Sequence, residues 1–154
     1  MLPCPAGPDW VLLTGEPLTA DAAIVWATTP SSGAVVSFSG VVRRESEGRA
    51  DVEAITYEAY EEQASRVLRE LVGEVRARYP EVDRVVLWHR VGRVARSEPS
   101  VVVVVSSAHR GESFDAARFA IDTLKETVPI WKLEHRGDAS SWVAAGRPIR
   151  PVGA

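Results

Sequence analysis

The stretch ITYEAYEEQASRVLRELVGEVRARYP, Ile55 to Pro80, changes its hydrophobic period part-way along, and that change decides the fold class. From Asp51 to Tyr60, Val52, Ala54 and Thr56 alternate with Glu53, Ile55 and Tyr57, the two-residue period of a strand. From Glu61 onward, Ala64, Val67, Leu68, Leu71, Val72, Val75 and Tyr79 recur at three-and-four spacing, the apolar stripe of an amphipathic helix that Pro80 closes. The charged residues between them, Glu61, Glu62, Arg66, Arg69, Glu70, Arg76 and Arg78, form its solvated face. A strand that runs straight into a long one-sided helix needs a sheet for that helix to cover.

Upstream, GAVVSFSGVVR at Gly33 to Arg43 reads as another strand, rich in Val and Phe. A polar loop, Arg44 to Ala50, joins it to the strand at Asp51 to Tyr60, and the two are expected to pair. Thr19 can cap a short helix over Ala20 to Ala27 that stops before Pro30, and Trp10 to Leu13 is a short apolar strand. Downstream, Val82 to Val94 and Ser100 to Ser107 are strands, with Ala95 to Pro99 expected as the turn of a hairpin. The next helix is expected to bury Phe114, Ala117, Ile121 and Leu124. Because Pro129 disfavours helical geometry at Val128, it should end near Thr127. Ile130 to Trp142 is extended or irregular, and the tail from Gly146 to Ala154 is expected to be loosely ordered. With no repeat, low-complexity tract or linker, residues 1–154 read as one α+β domain, a mostly antiparallel sheet with two main helices packed on it.

A formal charge of −3 gives no reason to expect a nucleic-acid or membrane surface, so an anion site must come from local clustering. The Val101 to Val105 run is too short to span a bilayer. The proline-rich start, Met1 to Trp10, has neither the basic region nor the apolar run of a signal peptide, which places the protein in the cytoplasm. One cysteine, Cys4, excludes a disulfide scaffold. His135 and Glu134 lack a third ligand at useful spacing, so neither a metal nor another cofactor is expected.

One compositional fact is sharper. Of the 18 basic Lys and Arg residues, only Lys125 and Lys132 are lysine. Arginine keeps its proton near neutral pH and presents a planar fork, whereas a lysine ammonium is compact and titrates more readily. Lys125 falls in the last turn of a helix, where the helix dipole favours a cation, and Lys132 lies just past the Pro129 break. A chain that turns at the proline can bring both ammonium groups to one place, with Trp131 beside them as a wall against solvent. Two nearby cations suit acyl chemistry as proton shuttle, charge stabiliser or nucleophilic amine. Ser106-Ser107-Ala108-His109-Arg110 leaves a buried strand and enters a helix, which marks a phosphate or carboxylate site. Arg43 and Arg44 read as a solvated strand end, and His89 as a histidine hydrogen-bonded within its strand.

Taken in order, GAVVSFSGVVR, ITYEAY at Ile55 to Tyr60, HRVG at His89 to Gly92, SSAHR at Ser106 to Arg110 and LKETVPIWKLE at Leu124 to Glu134 resemble the large, catalytic subunit of molybdopterin synthase, from about Trp10 to Trp142. The resemblance implies an α/β hammerhead-type fold. It also implies a homodimer at the centre of a heterotetramer, with a small ubiquitin-like subunit at each end. That partner carries a C-terminal glycine thiocarboxylate, whose sulfur passes in two rounds to cyclic pyranopterin monophosphate, giving the dithiolene of molybdopterin. By the same resemblance, Val41, Val42 and Arg43 line the pterin pocket, and His109 and Arg110 hold the substrate across the dimer interface. Lys125 and Lys132 act in catalysis, and Lys132, Leu133 and Glu134 complete the pocket. The chain departs from the family at Leu133, where a second basic residue is common, and at Arg44-Glu45, where Asn-His is common. Leu133 is also the one feature that fits an alternative, a catalytically silent dimeric adaptor for a ubiquitin-like partner. Sulfur transfer without a reactive cysteine fits a partner that brings its own sulfur.

Overall fold

The computed structural model describes residues 2–46, 49–143 and 151. The element order is β1 (Asp9–Thr14), α1 (Ala20–Ala27), β2 (Ala34–Val41), β3 (Ala54–Ala59), α2 (Glu61–Arg78), β4 (Val82–Arg90), β5 (Gly92–Ala95), β6 (Pro99–Ser107), α3 (Arg110–Thr127), β7 (Ile130–Arg136) and β8 (Ala139–Trp142). They build two four-stranded sheets, ordered β1-β4-β6-β2 and β5-β3-β7-β8. Every pairing is antiparallel except β1 with β4. The α+β class and the mostly antiparallel pairing are therefore as the sequence reading expects.

The first sheet carries helices on both faces. On one, Leu68, Leu71 and Val75 of α2 and Ala117, Ala120 and Leu124 of α3 pack on Val85, Leu87, Val103 and Val105. On the other, Ala23 and Ala27 of α1 pack with Trp10 and Trp88 on Val86, Val102 and Val104. The central strands β4 and β6 are thus buried on both sides, which is why they read as continuous apolar runs without alternation. The second sheet closes over a smaller cluster of Val42, Val52, Ile55, Tyr57 and Val94.

Three expectations are corrected. The strands at Gly33 to Arg43 and Asp51 to Tyr60 do not pair: β2 joins β6 in the first sheet, and β3 lies between β5 and β7 in the second. Pairing is non-local, and the loop between them crosses from one sheet to the other. The run Val82 to Val94 is two strands, because Gly92 takes a left-handed turn (φ +83°) that sends β5 into the second sheet. The hairpin between β4 and β6 survives, with β5 inside its connection. Finally, Phe114 is 60% exposed. The buried stripe of α3 runs through Ser113, Ala116, Ala117, Ala120, Ile121 and Leu124, since small residues let the helix seat closely on β2 and β6 and turn Phe114 away. The helix ends at Thr127, as Pro129 requires. Of the tail expected to be loosely ordered, all but Pro151 lies outside the described residues. Among the described residues, no helix is long and apolar enough to cross a membrane.

Candidate active site

The two sheets diverge where β2 ends and β6 begins, and the gap between them is a cavity of about 530 Å³. Its walls come from elements distant in sequence: Phe38 to Arg43 at the end of β2, Ile55 and Tyr57 on β3, His89 on β4, and Ser100 and Val101 on β6. The end of α3 contributes Leu124 and Lys125, and the strand that follows contributes Ile130 and Lys132. The helix must stop for this to happen. Pro129 breaks α3 after Thr127, and β7 then runs back along β3 with Lys132 directly opposite Tyr57. Both lysines, one from each side of the break, face the same cavity.

The electrostatics of His89 report on that convergence. The residue is 6% exposed, and its pKa is lowered from 6.5 to about 4. Burial is the main cause, the hydrogen bond to the Arg90 backbone opposes it, and the positive charges of Lys132 and Lys125 add smaller pushes downward. A carbonyl can only accept, so the 2.7 Å contact between Nδ1 and the Arg90 carbonyl has Nδ1 donating. His89 is therefore neutral at pH 7 and carries its proton on Nδ1. It is hydrogen-bonded within its strand, as expected, and it also faces the cavity, which the sequence reading did not anticipate. Tyr57 stands edge-on to it at 5.2 Å. Burial raises the Tyr57 pKa, opposed by a hydrogen bond with Ser100, so the phenol stays protonated.

The buried neutral imidazole has a stability consequence. Between about pH 6.5 and 4 the unfolded chain holds a proton on His89 that the folded chain does not. Stability contributed by the neutral ring is fully present above pH 6.5 and is lost as pH falls towards 4. Urea unfolding of wild type and His89→Asn at pH 7 and pH 5 should therefore show a larger acid-induced loss in wild type. Equal losses would show that the ring titrates normally in the fold.

The other sequence candidates divide. Val41, Val42 and Arg43 line the cavity. Leu133 is on the opposite face of β7, paired with Thr56 and Trp142, and Glu134 is buried with Arg136 3.8 Å away; neither lines the cavity. Trp131 does not wall the cavity either; it lies 40% exposed against Tyr60. His109 and Arg110 are exposed at the start of α3, and the helix puts about 22 Å between them and Lys125. Within one chain they cannot share the cavity with the lysines. His89, Tyr57 and Ser100 were missed as cavity residues. The HRVG and ITYEAY motifs carried a signal for His89 and Tyr57 and none for Ser100, since a strand buried on both faces does not reveal which side chains meet a cavity.

The arrangement is a cation-lined pocket with one apolar side, suited to an anionic organic ligand or intermediate. It holds no thiol: the single cysteine, Cys4, is exposed near the start of the chain.

The family model described as MoaE protein matches residues 13–127. A molybdopterin synthase catalytic subunit from Nostoc sp. is 42% identical over 139 residues, spanning 90% of this chain and 84% of that protein. The Homo sapiens protein of the same name is 39% identical over 134 residues, spanning 87% and 70%. Among solved structures, molybdopterin synthase from Staphylococcus aureus superposes with a TM-score of 0.80 at 33% identity, covering 86% of this chain and 95% of that one.

Proposed function

The chain belongs to the MoaE protein family, and from that premise we propose that it is the catalytic subunit of a molybdopterin synthase. It works with a small ubiquitin-like subunit whose C-terminal thiocarboxylate supplies sulfur to cyclic pyranopterin monophosphate, forming the dithiolene of molybdopterin. The observation that carries this reading is the meeting of Lys125 and Lys132 in one cavity that contains no cysteine. A sulfurtransferase without its own thiol needs sulfur delivered already activated. It then needs cations to hold the incoming thiocarboxylate and the substrate's phosphate.

The chemistry follows from the charges. The thiocarboxylate sulfur bonds to a substrate carbon as a substrate oxygen leaves it, which joins tail and pterin as a thioester. Water then adds to the tail's carbonyl carbon, the acyl C–S bond breaks, sulfur stays on the pterin and the tail leaves as a carboxylate. The tetrahedral intermediate on that path bears an oxyanion, which an ammonium at hydrogen-bond distance stabilises. Lys125, on the last turn of α3 at the cavity, is assigned to the partner's tail and to proton transfer. Lys132 and Arg43 are the pocket cations, with Val41 and Val42 beside Arg43. Leu133, where the family commonly has a basic residue, faces away from the cavity. The substitution therefore leaves the cations of the pocket in place and gives the silent-adaptor reading no support.

His109 and Arg110 fit this chemistry only as contributions from a second copy, because α3 holds them far from Lys125 in their own chain. A homodimer carrying one small subunit at each end meets that requirement. The test is turnover of cyclic pyranopterin monophosphate by the purified chain with the thiocarboxylated partner. Two inactive chains are then mixed, one with Lys125→Ala and the other with His109→Ala and Arg110→Ala. If the site is shared between copies, mixed dimers hold one intact site, and a random mixture recovers about a quarter of wild-type activity. No recovery would place both groups of residues in the same chain's site. No turnover by wild type with its partner would sink the functional reading itself.

A further inference from the structure

The cavity's described lining contains cations and hydroxyls but no carboxylate. That suits the anionic end of a substrate and leaves its hydrogen-bond donors unanswered. The hydroxyls of Ser39, Ser46, Ser100 and Tyr57 can accept or donate, and so discriminate poorly. Ser100 is already engaged, donating to the Gly40 carbonyl at 3.3 Å. One side-chain group in the lining differs. With Nδ1 giving its hydrogen to the Arg90 carbonyl at 2.7 Å, the second nitrogen of His89 carries a lone pair and no proton.

That state is over-determined by its surroundings. His89 sits inside β4, paired with Leu13 of β1 and Val101 of β6, and its side chain is buried. Tyr57 on β3 packs edge-on against it. The charged side chains in the cavity's described lining are Lys125 from α3, Lys132 from β7 and Arg43 beyond β2. The two lysine charges disfavour a third positive charge on the imidazole, and the carboxylate of Glu134 acts on Tyr57. A neutral histidine amid cations, fixed in one tautomer by its own backbone, is an acceptor that cannot become a donor at working pH.

We propose that Nε2 of His89 accepts a hydrogen bond from a ring N–H of the bound pterin and so sets the heterocycle's orientation in the cavity. The cations hold the substrate's phosphate and the partner's tail, while His89 reads a hydrogen-bond donor of the heterocycle. This assignment rests on the proposed substrate. It makes His89 a binding residue distinct from the lysines.

Two substitutions separate this role from a structural one. His89→Asn places an amide N–H where Nδ1 was, preserving the bond to the Arg90 carbonyl, and removes the acceptor. His89→Gln reaches further and returns an oxygen near the position of Nε2. Losing one substrate hydrogen bond is expected to weaken pterin binding about tenfold in His89→Asn. Binding is read by titration calorimetry with cyclic pyranopterin monophosphate and as KM in the coupled assay, with the melting temperature as a check on the fold. His89→Gln should recover most of the affinity. If His89→Asn binds like wild type, or if His89→Gln is no better than His89→Asn, the proposal is overturned. A variant too unstable to assay moves the test to the other one: wild-type-like affinity in His89→Gln supports the acceptor role, and a loss of about tenfold or more overturns it. Failure of wild type itself to bind or convert the pterin would strike the functional reading, an outcome separate from either of these.

Discussion

Lys125→Ala is expected to lower turnover by about two to four orders of magnitude, the range for removing a general acid–base group, with the fold intact. The side chain is exposed at the end of α3, away from the apolar stripe that seats the helix. Among the described residues its structural contribution is that of a cation at the helix C-terminus, on the order of 0.3–1 kcal/mol. Circular dichroism and melting temperature should therefore change little while kcat collapses. Lys125→Arg separates charge from chemistry. The guanidinium keeps the positive charge but does not release a proton at working pH, and its planar fork is larger than an ammonium in the same cavity. It should restore binding of the partner's tail more than turnover. Lys132→Ala should show the complementary pattern, a raised KM for the pterin with a smaller loss of kcat, if it serves as a binding cation. Full activity in Lys125→Ala would remove the residue from the mechanism and leave Lys132 as the only lysine available for it.

How much of this was legible in the sequence depends on whether local or non-local physics decided each feature. The helix from Glu61 was readable because its stripe repeats over many turns, and the end of α3 because a proline acts on its immediate neighbour. Strand partners were not readable. Nothing within Gly33 to Tyr60 states that β2 and β3 belong to different sheets, since that is settled by β6 and β7, far along the chain. Phe114 misled because spacing alone allows two adjacent stripes on α3. The sheet selected the one with serine and alanines, which permits the closer approach. At the site, the rarity of lysine identified Lys125 and Lys132 without a structure, and the chain turn at Pro129 explained how they could meet. His89 stayed hidden because β4 is buried on both faces, so period and hydropathy do not distinguish its cavity side from its core side. His109 and Arg110 were legible as an anion motif, and the helix expected between them and Lys125 already set the two groups a helix length apart.

Gly33→Ala should destabilise the protein by about 2–5 kcal/mol, although Gly33 has no left-handed backbone to protect. An added Cβ would lie 2.0 Å from the carbonyl oxygen of Ala108 and 3.1 Å from its carbonyl carbon. Both are backbone atoms, so no side chain can move aside. Gly33 also donates to the Ser107 carbonyl at 3.0 Å, so relief by backing away from Ala108 would strain or break that bond at the start of β2. The control is Gly73→Ala in the exposed middle of α2, where a Cβ meets nothing within 4 Å and alanine should stabilise by about 0.5–1 kcal/mol. Opposite signs for the same chemical change, measured by urea unfolding, would isolate the close approach as the cause. The consequence reaches the site, because Ala108 immediately precedes His109 and Arg110. A folded Gly33→Ala chain must displace the segment that carries them. It should then behave like the His109→Ala, Arg110→Ala chain in the mixing experiment, supplying intact lysines to a partner while failing to supply the anion-binding pair. Stability equal to wild type would mean that β2 and the start of α3 are further apart than the fold places them.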